Sequence, residues 1–174
     1  MKVLIVVAPE KFRDEELAEP VAALTKAGIG FDIASTKRGV CTGMLGAKTT
    51  ATLNFDEVDP KKYDALVIVG GSGAQAKLWD DDMLTQLAKY FHESSKVVAA
   101  ICLAPVIFAR AGILKGRQAT YYNSPASFRE MKAGGALLVD KPVVSDHRII
   151  TANGPSASKE FANLIVKTLT AVEW

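Results

Sequence analysis

The sequence predicts an α/β fold in which a doubly wound, mostly parallel sheet is sandwiched between helices. Short apolar runs rich in β-branched residues, such as residues 2–8, 65–69 and 97–101, alternate along the chain with amphipathic stretches of helical periodicity. Continuous apolar runs are typical of strands covered on both faces, and their alternation with helices is typical of βαβ units. We therefore expect a functional site outside the carboxyl ends of the strands.

The predicted strands share a short length and an apolar composition: residues 2–8, 31–35, 65–69, 97–101, 118–122, 137–139, 143–145 and 148–152. A turn at Asp146–His147 joins the last two of them. Residues 39–50, rich in Gly and Thr, predict a β-hairpin or an irregular excursion, and residues 56–63 predict a polar connection.

The predicted helices share an apolar stripe at helical spacing: residues 17–28, 80–94, 106–112, 124–135 and 154–172. Gly28 and Gly112 are typical helix ends, and Asp residues fill the first turn of the second helix. Ser124 or Ser127 is a candidate cap for the fourth helix.

Composition favours one globular domain over residues 1–174 and argues against several classes of function. Hydrophobic residues make up 49% of the chain and charged residues 23%, which is ordinary for a globular protein. The net charge of +2, without a block of basic residues, argues against a nucleic-acid partner. The apolar start is too short for a membrane span or a signal segment, so we expect a cytoplasmic protein with no membrane partner.

The cysteines and histidines form no metal or disulfide pattern. Cys41 and Cys102 are the two cysteines, and neither belongs to a CxxC motif. The two histidines, His92 and His147, are far apart in the sequence, so we expect no metal site. Cys41 is interpreted as structural or incidental.

The stretch around Cys102 is the leading candidate for chemistry. Residues 97–101 predict a buried strand and Pro105 begins a helix, which leaves room only for a tight turn at the cysteine. Such a strand-to-helix turn, a nucleophile elbow, presents its residue beside helix N-terminal amides, and these favour an exposed thiolate of low pKa. The alternative is a buried structural cysteine, the usual role of a cysteine in apolar surroundings.

The glycine pair after residues 65–69 lies at a second strand end. The glycines allow the chain to turn, and the Gly71 amide can bind an oxyanion near Cys102. A dinucleotide-binding loop is disfavoured because the spacing is not GxGxxG and no acid is placed for a ribose.

Acidic residues follow the first strand. Pro20 cannot donate an amide to the Glu16 carbonyl, which predicts a local irregularity in the helix. A carboxyl group near a thiolate has a raised pKa and can donate and accept protons. Spacing alone does not separate Glu16 from its acidic neighbours Glu10, Asp14 and Glu15.

The order of motifs along the chain resembles the ThiJ/PfpI (DJ-one) superfamily. The matching segments are MKVLIV, Glu16-x3-Pro20, YDALVIVGG, VVAAIC, ARAGILKG and ITANGPSAS, which cover nearly the whole chain. The resemblance implies a flavodoxin-like fold, a homodimer or higher homo-oligomer, and no cofactor.

The resemblance also implies roles for individual residues. By position, Cys102 is the nucleophile, Glu16 is the carboxylic acid hydrogen-bonded to it, and Gly71 is a backbone donor at the sulfur. The remaining pocket residues implied by position are Gly70, Leu103 and Tyr122.

Residue 103 departs from the protease branch of that family, whose members carry Cys-His at the turn. Here the residue is Leu103, and neither His92 nor His147 matches a family catalytic position. Peptidase or amidase activity therefore lacks its base, unless another subunit supplies one.

Three interpretations of function remain open. Resemblance to glyoxalase III relatives implies glutathione-independent glyoxalase or deglycase chemistry on a small aldehyde substrate, such as the conversion of methylglyoxal to lactate. A non-enzymatic cysteine redox sensor or stress-protective protein would use the same Cys102–Glu16 pair. A PfpI-like cysteine peptidase or amidase is the third, weakened by Leu103.

Overall fold

The computed structural model describes residues 1–171. Its strands are β1 (Lys2–Val6), β2 (Glu10–Phe12), β3 (Gly30–Ser35), β4 (Gly39–Gly43), β5 (Lys48–Ala51), β6 (Leu53–Asn54), β7 (Ala65–Ile68), β8 (Val97–Ile101), β9 (Gln118–Ala119), β10 (Leu137–Leu138), β11 (Val143–Asp146) and β12 (Ile149–Ala152). Its α-helices are α1 (Asp14–Lys26), α2 (Ser72–Lys77), α3 (Asp82–Glu93), α4 (Pro105–Arg110), α5 (Pro125–Ala133) and α6 (Ser158–Thr170).

A seven-stranded sheet forms the centre of the fold and confirms the predicted class. Its strand order is β11-β12-β8-β7-β1-β3-β6, and all neighbours are parallel except β11, which runs antiparallel to β12. From β1 the chain winds outward through β3 and β6, and then returns to wind the other way through β7, β8 and β12. The direction reverses between β1 and β7, which is where such sheets place their sites.

The sheet separates two hydrophobic cores. Alternate residues of each strand face opposite sides, so Leu4 and Val6 belong to the core covered by α3, α4 and α5, whereas Val3 and Ile5 belong to the core covered by α1 and α6. Because both faces are covered, the central strands are apolar throughout, as the sequence predicts.

The hairpin predicted within residues 39–50 is present as β4 and β5, which pair antiparallel. The capping expectation for α5 is also met: the Ser124 side chain accepts the Ser127 amide, and the Ser127 side chain accepts the Ser124 amide. The predicted polar connection contains two 3-10 helices, Phe55–Glu57 and Pro60–Lys62.

Several predicted elements differ from the structure. The predicted strand over residues 118–122 is wrong beyond Ala119, because the Thr120 amide bonds to the Thr151 side chain and the Tyr122 amide bonds to the Cys102 carbonyl. Helix α1 starts three residues earlier than predicted and continues through Pro20, since losing one hydrogen bond does not break a helix packed against α6.

Three short elements were not predicted from the sequence. They are β2, β6 and α2. The predicted last helix begins instead with a 3-10 turn over Pro155–Ala157, and its predicted end at Val172 lies outside the described residues.

Candidate active site

The turn at Cys102 connects β8 to α4 and lies at the carboxyl end of the sheet. Cys102 has a φ of 66°, in the left-handed region that non-glycine residues rarely adopt. Two hydrogen bonds hold this conformation: the Cys102 amide donates to the Ala152 carbonyl at 2.9 Å, and the Cys102 carbonyl accepts the Tyr122 amide at 2.8 Å. A strained residue fixed by its surroundings is typical of functional positions.

Gly70 and Gly71 allow the chain after β7 to approach this turn closely. A Cβ atom on Gly70 would lie 2.6 Å from both the Cys102 Cβ and the Glu16 Oε1 atoms, and it would also meet the Ile101 carbonyl. A Cβ atom on Gly71, whose φ is 103°, would lie 2.5 Å from the Arg13 amide nitrogen. Only glycine fits at either position without moving the backbone.

Glu16 lies in the first turn of α1 and is fully buried. Neither carboxyl oxygen has a hydrogen-bond partner of regular geometry among the described residues. Burial raises the pKa of Glu16 from 4.5 to about 8, and the nearby Gly70 amide and Cys102 thiol oppose that rise without cancelling it. Glu16 is therefore protonated at neutral pH.

The other three acidic candidates have different environments. Glu10 is exposed and faces Lys77, with 3.8 Å between the charged atoms. Asp14 accepts the amides of Leu45 and Ala47 and so holds the β4–β5 hairpin. Glu15 makes two hydrogen bonds to the Arg13 side chain. Among these four acids, only Glu16 has its carboxyl group beside the cysteine.

The Cys102 thiol differs from the exposed, low-pKa thiolate that the sequence led us to expect. The residue is 7% exposed. Burial and the neighbouring charge of Glu16 raise the pKa of Cys102 from 9.0 to about 12, while hydrogen bonds from the Gly71 and Leu103 amides to the sulfur lower it. The expectation was wrong because the turn is covered by other segments, so the adjacent amides do not outweigh desolvation.

Cys102 and Glu16 titrate as a coupled pair. The negative charge of an ionised Glu16 is one of the causes that raise the pKa of the Cys102 thiol to about 12. Burial raises the pKa of Glu16 to about 8, and an ionised Glu16 in turn disfavours the thiolate, so the pair resists losing its last proton. When Glu16 holds that proton, the repulsion that disfavours the thiolate is absent.

Leu103 follows Cys102 within the turn, and the Tyr122 amide is hydrogen-bonded to the Cys102 carbonyl. Leu103 is partly buried and packs against both hydrophobic cores. Tyr122 is 50% exposed and lines a cleft of about 620 Å³, together with Phe128 and Gly154. Cys102 is not among the described residues that line this cleft. The cleft therefore adjoins the turn without opening directly onto it.

Trp79 also contacts the turn, although no sequence pattern pointed to it. Its indole Nε1 donates a hydrogen bond of 2.8 Å to the carbonyl of Leu103. A tryptophan in an ordinary loop carries no motif, so only the three-dimensional arrangement identifies this contact.

Both histidines lie far from Cys102. The register pairs Ile149 with Val98 and Ala152 with Ile101, so His147, just before β12, is at the opposite end of the sheet from the cysteine. His92 lies in the last turn of α3, shortly before the start of β8, at that same distant end. His147 contacts Asp146 at 2.6 Å and Arg117 at 2.8 Å. Neither histidine can act on the Cys102 sulfur within one subunit.

Within residues 1–171, no cluster of three or more His, Cys, Asp or Glu side chains is arranged to hold a metal ion. The α-helices of this part of the chain include none with the length and apolar character needed to cross a membrane.

Comparison with known proteins agrees with this architecture. The sequence model of the DJ-1/PfpI family matches residues 1–168. The chain is 46% identical to protein MJ0967 of Methanocaldococcus jannaschii over 168 residues, which covers 97% of this chain and 82% of that protein. It is 36% identical to a protein of Pyrococcus abyssi named deglycase PYRAB04690 over 169 residues, which covers 97% of this chain and 99% of that protein.

Among solved structures, a ThiJ/PfpI domain protein from Brachyspira murdochii superimposes with a TM-score of 0.93 at 38% identity, covering 99% of this chain and 98% of that one. The match of the family model to nearly the whole chain, the relatives above 30% identity and the shared fold lead to one conclusion: the chain belongs to the DJ-1/PfpI family.

Proposed function

We propose that this protein catalyses glutathione-independent glyoxalase or deglycase-type chemistry on small 2-oxoaldehydes, with Cys102 as nucleophile and Glu16 as acid and base. The observation that carries this proposal is the buried Glu16 carboxyl group beside the Cys102 sulfur. The name of the Pyrococcus abyssi relative, a deglycase, supports the same class of chemistry.

With methylglyoxal as substrate, the pair reacts in the form in which Cys102 is a thiolate and Glu16 is protonated: the sulfur adds to the aldehyde carbon while Glu16 donates its proton to the aldehyde oxygen. This step forms a C–S bond and a hemithioacetal hydroxyl. The Glu16 carboxylate then removes the proton from the former aldehyde carbon, which gives an enediolate with its negative charge on the former ketone oxygen.

Glu16 returns this proton to the neighbouring carbon, the hemithioacetal hydroxyl passes its proton to the neighbouring oxygen, and a thioester of lactate remains on Cys102. Water cleaves the thioester, releases lactate and restores the thiol. Methylglyoxal plus water thus becomes lactate, with no external oxidant or reductant. The Gly71 amide, which hydrogen-bonds to the sulfur, supports this proposal as a donor that can stabilise negative charge on the substrate oxygen.

The chemistry fits the absence of a histidine at the turn. Cleavage of an amide requires a proton donor for the leaving amine, and neither histidine lies near the sulfur. Proton transfer between two adjacent carbons requires only one group that both accepts and donates, and Glu16 is such a group. The site therefore suits aldehyde isomerisation better than peptide hydrolysis.

Methylglyoxal turnover without glutathione tests the proposal. We expect the wild-type protein to form lactate above a heat-inactivated control, and Cys102→Ser to form none. Glu16→Gln should lose at least about 10²-fold, the usual contribution of acid–base catalysis. Cys41→Ser and Glu15→Gln serve as matched controls, since they alter the other cysteine and the adjacent acid, and should remain close to wild type.

The same variants assayed on a preformed adduct of methylglyoxal with a free amino acid separate deglycase from glyoxalase activity. Turnover of the adduct faster than its spontaneous release of methylglyoxal would identify a deglycase. Absence of lactate from either substrate, or full activity in Cys102→Ser, would overturn the proposal.

A second candidate, a cysteine redox sensor, is favoured by the protonation of Glu16. A neutral carboxyl group beside the sulfur can donate a hydrogen bond to the oxygen of an oxidised cysteine, as can the Gly71 and Leu103 amides. One hydrogen peroxide converts the thiol to a sulfenic acid with release of water, and a second converts this to a sulfinic acid with release of another water.

Mass spectrometry after mild peroxide treatment tests the sensor candidate. We expect two oxygen atoms on Cys102 in the wild type and less of this product in Glu16→Gln, with Cys41 as an internal reference. An unmodified Cys102 under conditions that oxidise Cys41 would rule out the sensor.

A further inference from the structure

The cleft of about 620 Å³ that adjoins the Cys102 turn takes no part in the chemistry proposed above. Its volume lies within the range of small-molecule sites. Helix α5 contributes one residue to its lining, and three stretches of chain contribute the others: residues 120–123, 138–140 and 153–156.

Hydrogen bonds join these three stretches to one another. The Val139 amide donates to the Ala119 carbonyl, just before the first stretch, and the Asn153 amide donates to the Pro142 carbonyl, shortly after the second, each at 2.9 Å. Main-chain contacts thus fix the walls of the cleft, so the site is preformed.

The two aromatic side chains most exposed to solvent both line this cleft. Tyr122 is 50% exposed and Phe128, on α5, is 44% exposed, whereas every other aromatic residue within residues 1–171 is buried or partly buried. The partly buried Tyr121 lines the cleft as well. Exposed aromatic faces that converge on one concave surface are typical of ligand sites.

The side chains around the cleft favour a cation. Asp140 is the only acidic side chain among the described residues that line it, and none of them is lysine, arginine or histidine. An anion would lose hydration there without gaining a partner of opposite charge. A cation gains the Asp140 carboxylate and the electron-rich faces of the aromatic rings.

We propose that this cleft binds a planar organic cation of the amidinium or guanidinium type, which lies against the rings of Tyr122 and Phe128 with its charge toward Asp140. A planar group offers the ring faces the largest contact, and the side chains of Asn123 and Asn153, which also line the cleft, can accept its remaining N–H groups. The inference is independent of the proposed function, since it involves neither the cysteine sulfur nor the buried carboxyl group.

The walls of the cleft also hold the two peptide groups that flank Cys102. Tyr122 donates its amide to the Cys102 carbonyl at 2.8 Å, and Asn153 follows Ala152, whose carbonyl accepts the Cys102 amide at 2.9 Å. The orientation of these two peptide groups determines the left-handed conformation of Cys102. A cation that contacts both walls therefore stabilises the turn, because separating the walls would break its own contacts.

Titration of isotope-labelled protein with benzamidine, followed by NMR, tests the binding site. We expect chemical-shift changes centred on the three stretches of the cleft and a dissociation constant of about 1 mM or below, which is within reach of a ligand of this size. Benzamide has the same planar shape without the charge and should bind at least about five-fold more weakly, and benzoate should not bind.

Two substitutions at exposed positions test the contacts. Asp140→Asn and Phe128→Ala should each weaken benzamidine binding about five-fold, through loss of the counter-charge and of one ring face. Asp82→Asn, the same exchange at an exposed aspartate of α3 outside the cleft, is the matched control and should bind like wild type. N-acetyl-arginine amide distinguishes the source of the cation: binding as tight as that of benzamidine would assign the site to arginine side chains of a peptide, and weaker binding would assign it to a free small molecule.

Hydrogen exchange of the Tyr122 amide tests the connection to Cys102, since this amide exchanges only when its bond to the Cys102 carbonyl opens. At a benzamidine concentration about ten times the dissociation constant, its exchange should be about ten-fold slower. The Lys62 amide, in an exposed 3-10 turn, should be unaffected. Equal affinities for benzamidine and benzamide, or wild-type affinity in Asp140→Asn, would overturn the binding site. Unchanged exchange of the Tyr122 amide would overturn its connection to the turn.

Discussion

The carboxyl group of Glu16 is buried away from water. Because burial raises its pKa, the free energy of unfolding depends on pH. Its pKa rises from 4.5, the value for an exposed side chain, to about 8 in the folded protein. Between these values the folded state binds more protons than the unfolded state, so stability falls as pH rises. The full effect is on the order of 5 kcal/mol, complete above the folded pKa.

Replacing Glu16 tests this dependence. The Glu16→Gln variant cannot ionise, so its free energy of unfolding relative to wild type should increase as pH rises from about 4.5 to about 8. Urea denaturation at several pH values measures the difference. The control is Glu15→Gln, since Arg13 lowers the pKa of Glu15 and its contribution is lost only in acid. A difference between Glu16→Gln and wild type that stays constant with pH would contradict the buried, protonated carboxyl group.

The residues of the candidate site differ in how far the sequence predicts their position and exposure. The turn at Cys102 is visible locally, because an apolar strand precedes it and Pro105 follows it. In the sequence, only family resemblance separates Glu16 from Glu10, Asp14 and Glu15. In the structure, Glu16 is the one of these four acids that is fully buried. The burial of the thiol depends on segments distant in the sequence, so local reasoning gave the wrong exposure.

At the scale of elements, the sequence correctly predicts the strands whose residues are buried on both faces of the sheet. Residues 65–69 and 97–101 are apolar throughout because both faces of the sheet are covered. Strand β2, in contrast, has only Phe12 as an apolar residue and exists because it pairs with β4, a contact between distant segments. Residues 120–122 look like a strand, yet their amides bond to the Thr151 side chain and the Cys102 carbonyl.

The irregular segment over residues 120–122 helps to hold the turn at Cys102. A residue in a regular ladder pairs with a neighbouring strand, whereas the Tyr122 amide holds the carbonyl of the strained cysteine. The Tyr122 carbonyl in turn accepts the Ser127 hydroxyl at 2.6 Å, next to the cap of α5. The irregular segment thus connects the turn to α5, just as Trp79 connects it to α2.

At the scale of the whole molecule, one sheet supports two cores whose fully buried side chains are separate, with the partly buried Leu103 packed against both. The strands contribute alternate residues to each side, so a change in one core alters the strand backbone on which the other core is built. We infer that residues 1–171 unfold as one cooperative domain. Fully buried phenylalanines on opposite faces, Phe91 on α3 and Phe161 on α6, provide the test.

We expect Phe91→Ala to destabilise both hydrophobic cores together. Cys41 and Cys102 report on the second core, because they lie on the opposite side of the sheet from Phe91. Removal of a buried phenyl group costs about 3–5 kcal/mol. The urea midpoints from circular dichroism and from thiol labelling should therefore fall by the same amount, and likewise for Phe161→Ala. Phe128→Ala, at a 44% exposed position, is the control and should have little effect. Thiol labelling that keeps its wild-type midpoint in Phe91→Ala, while circular dichroism shifts, would show that the two cores unfold separately.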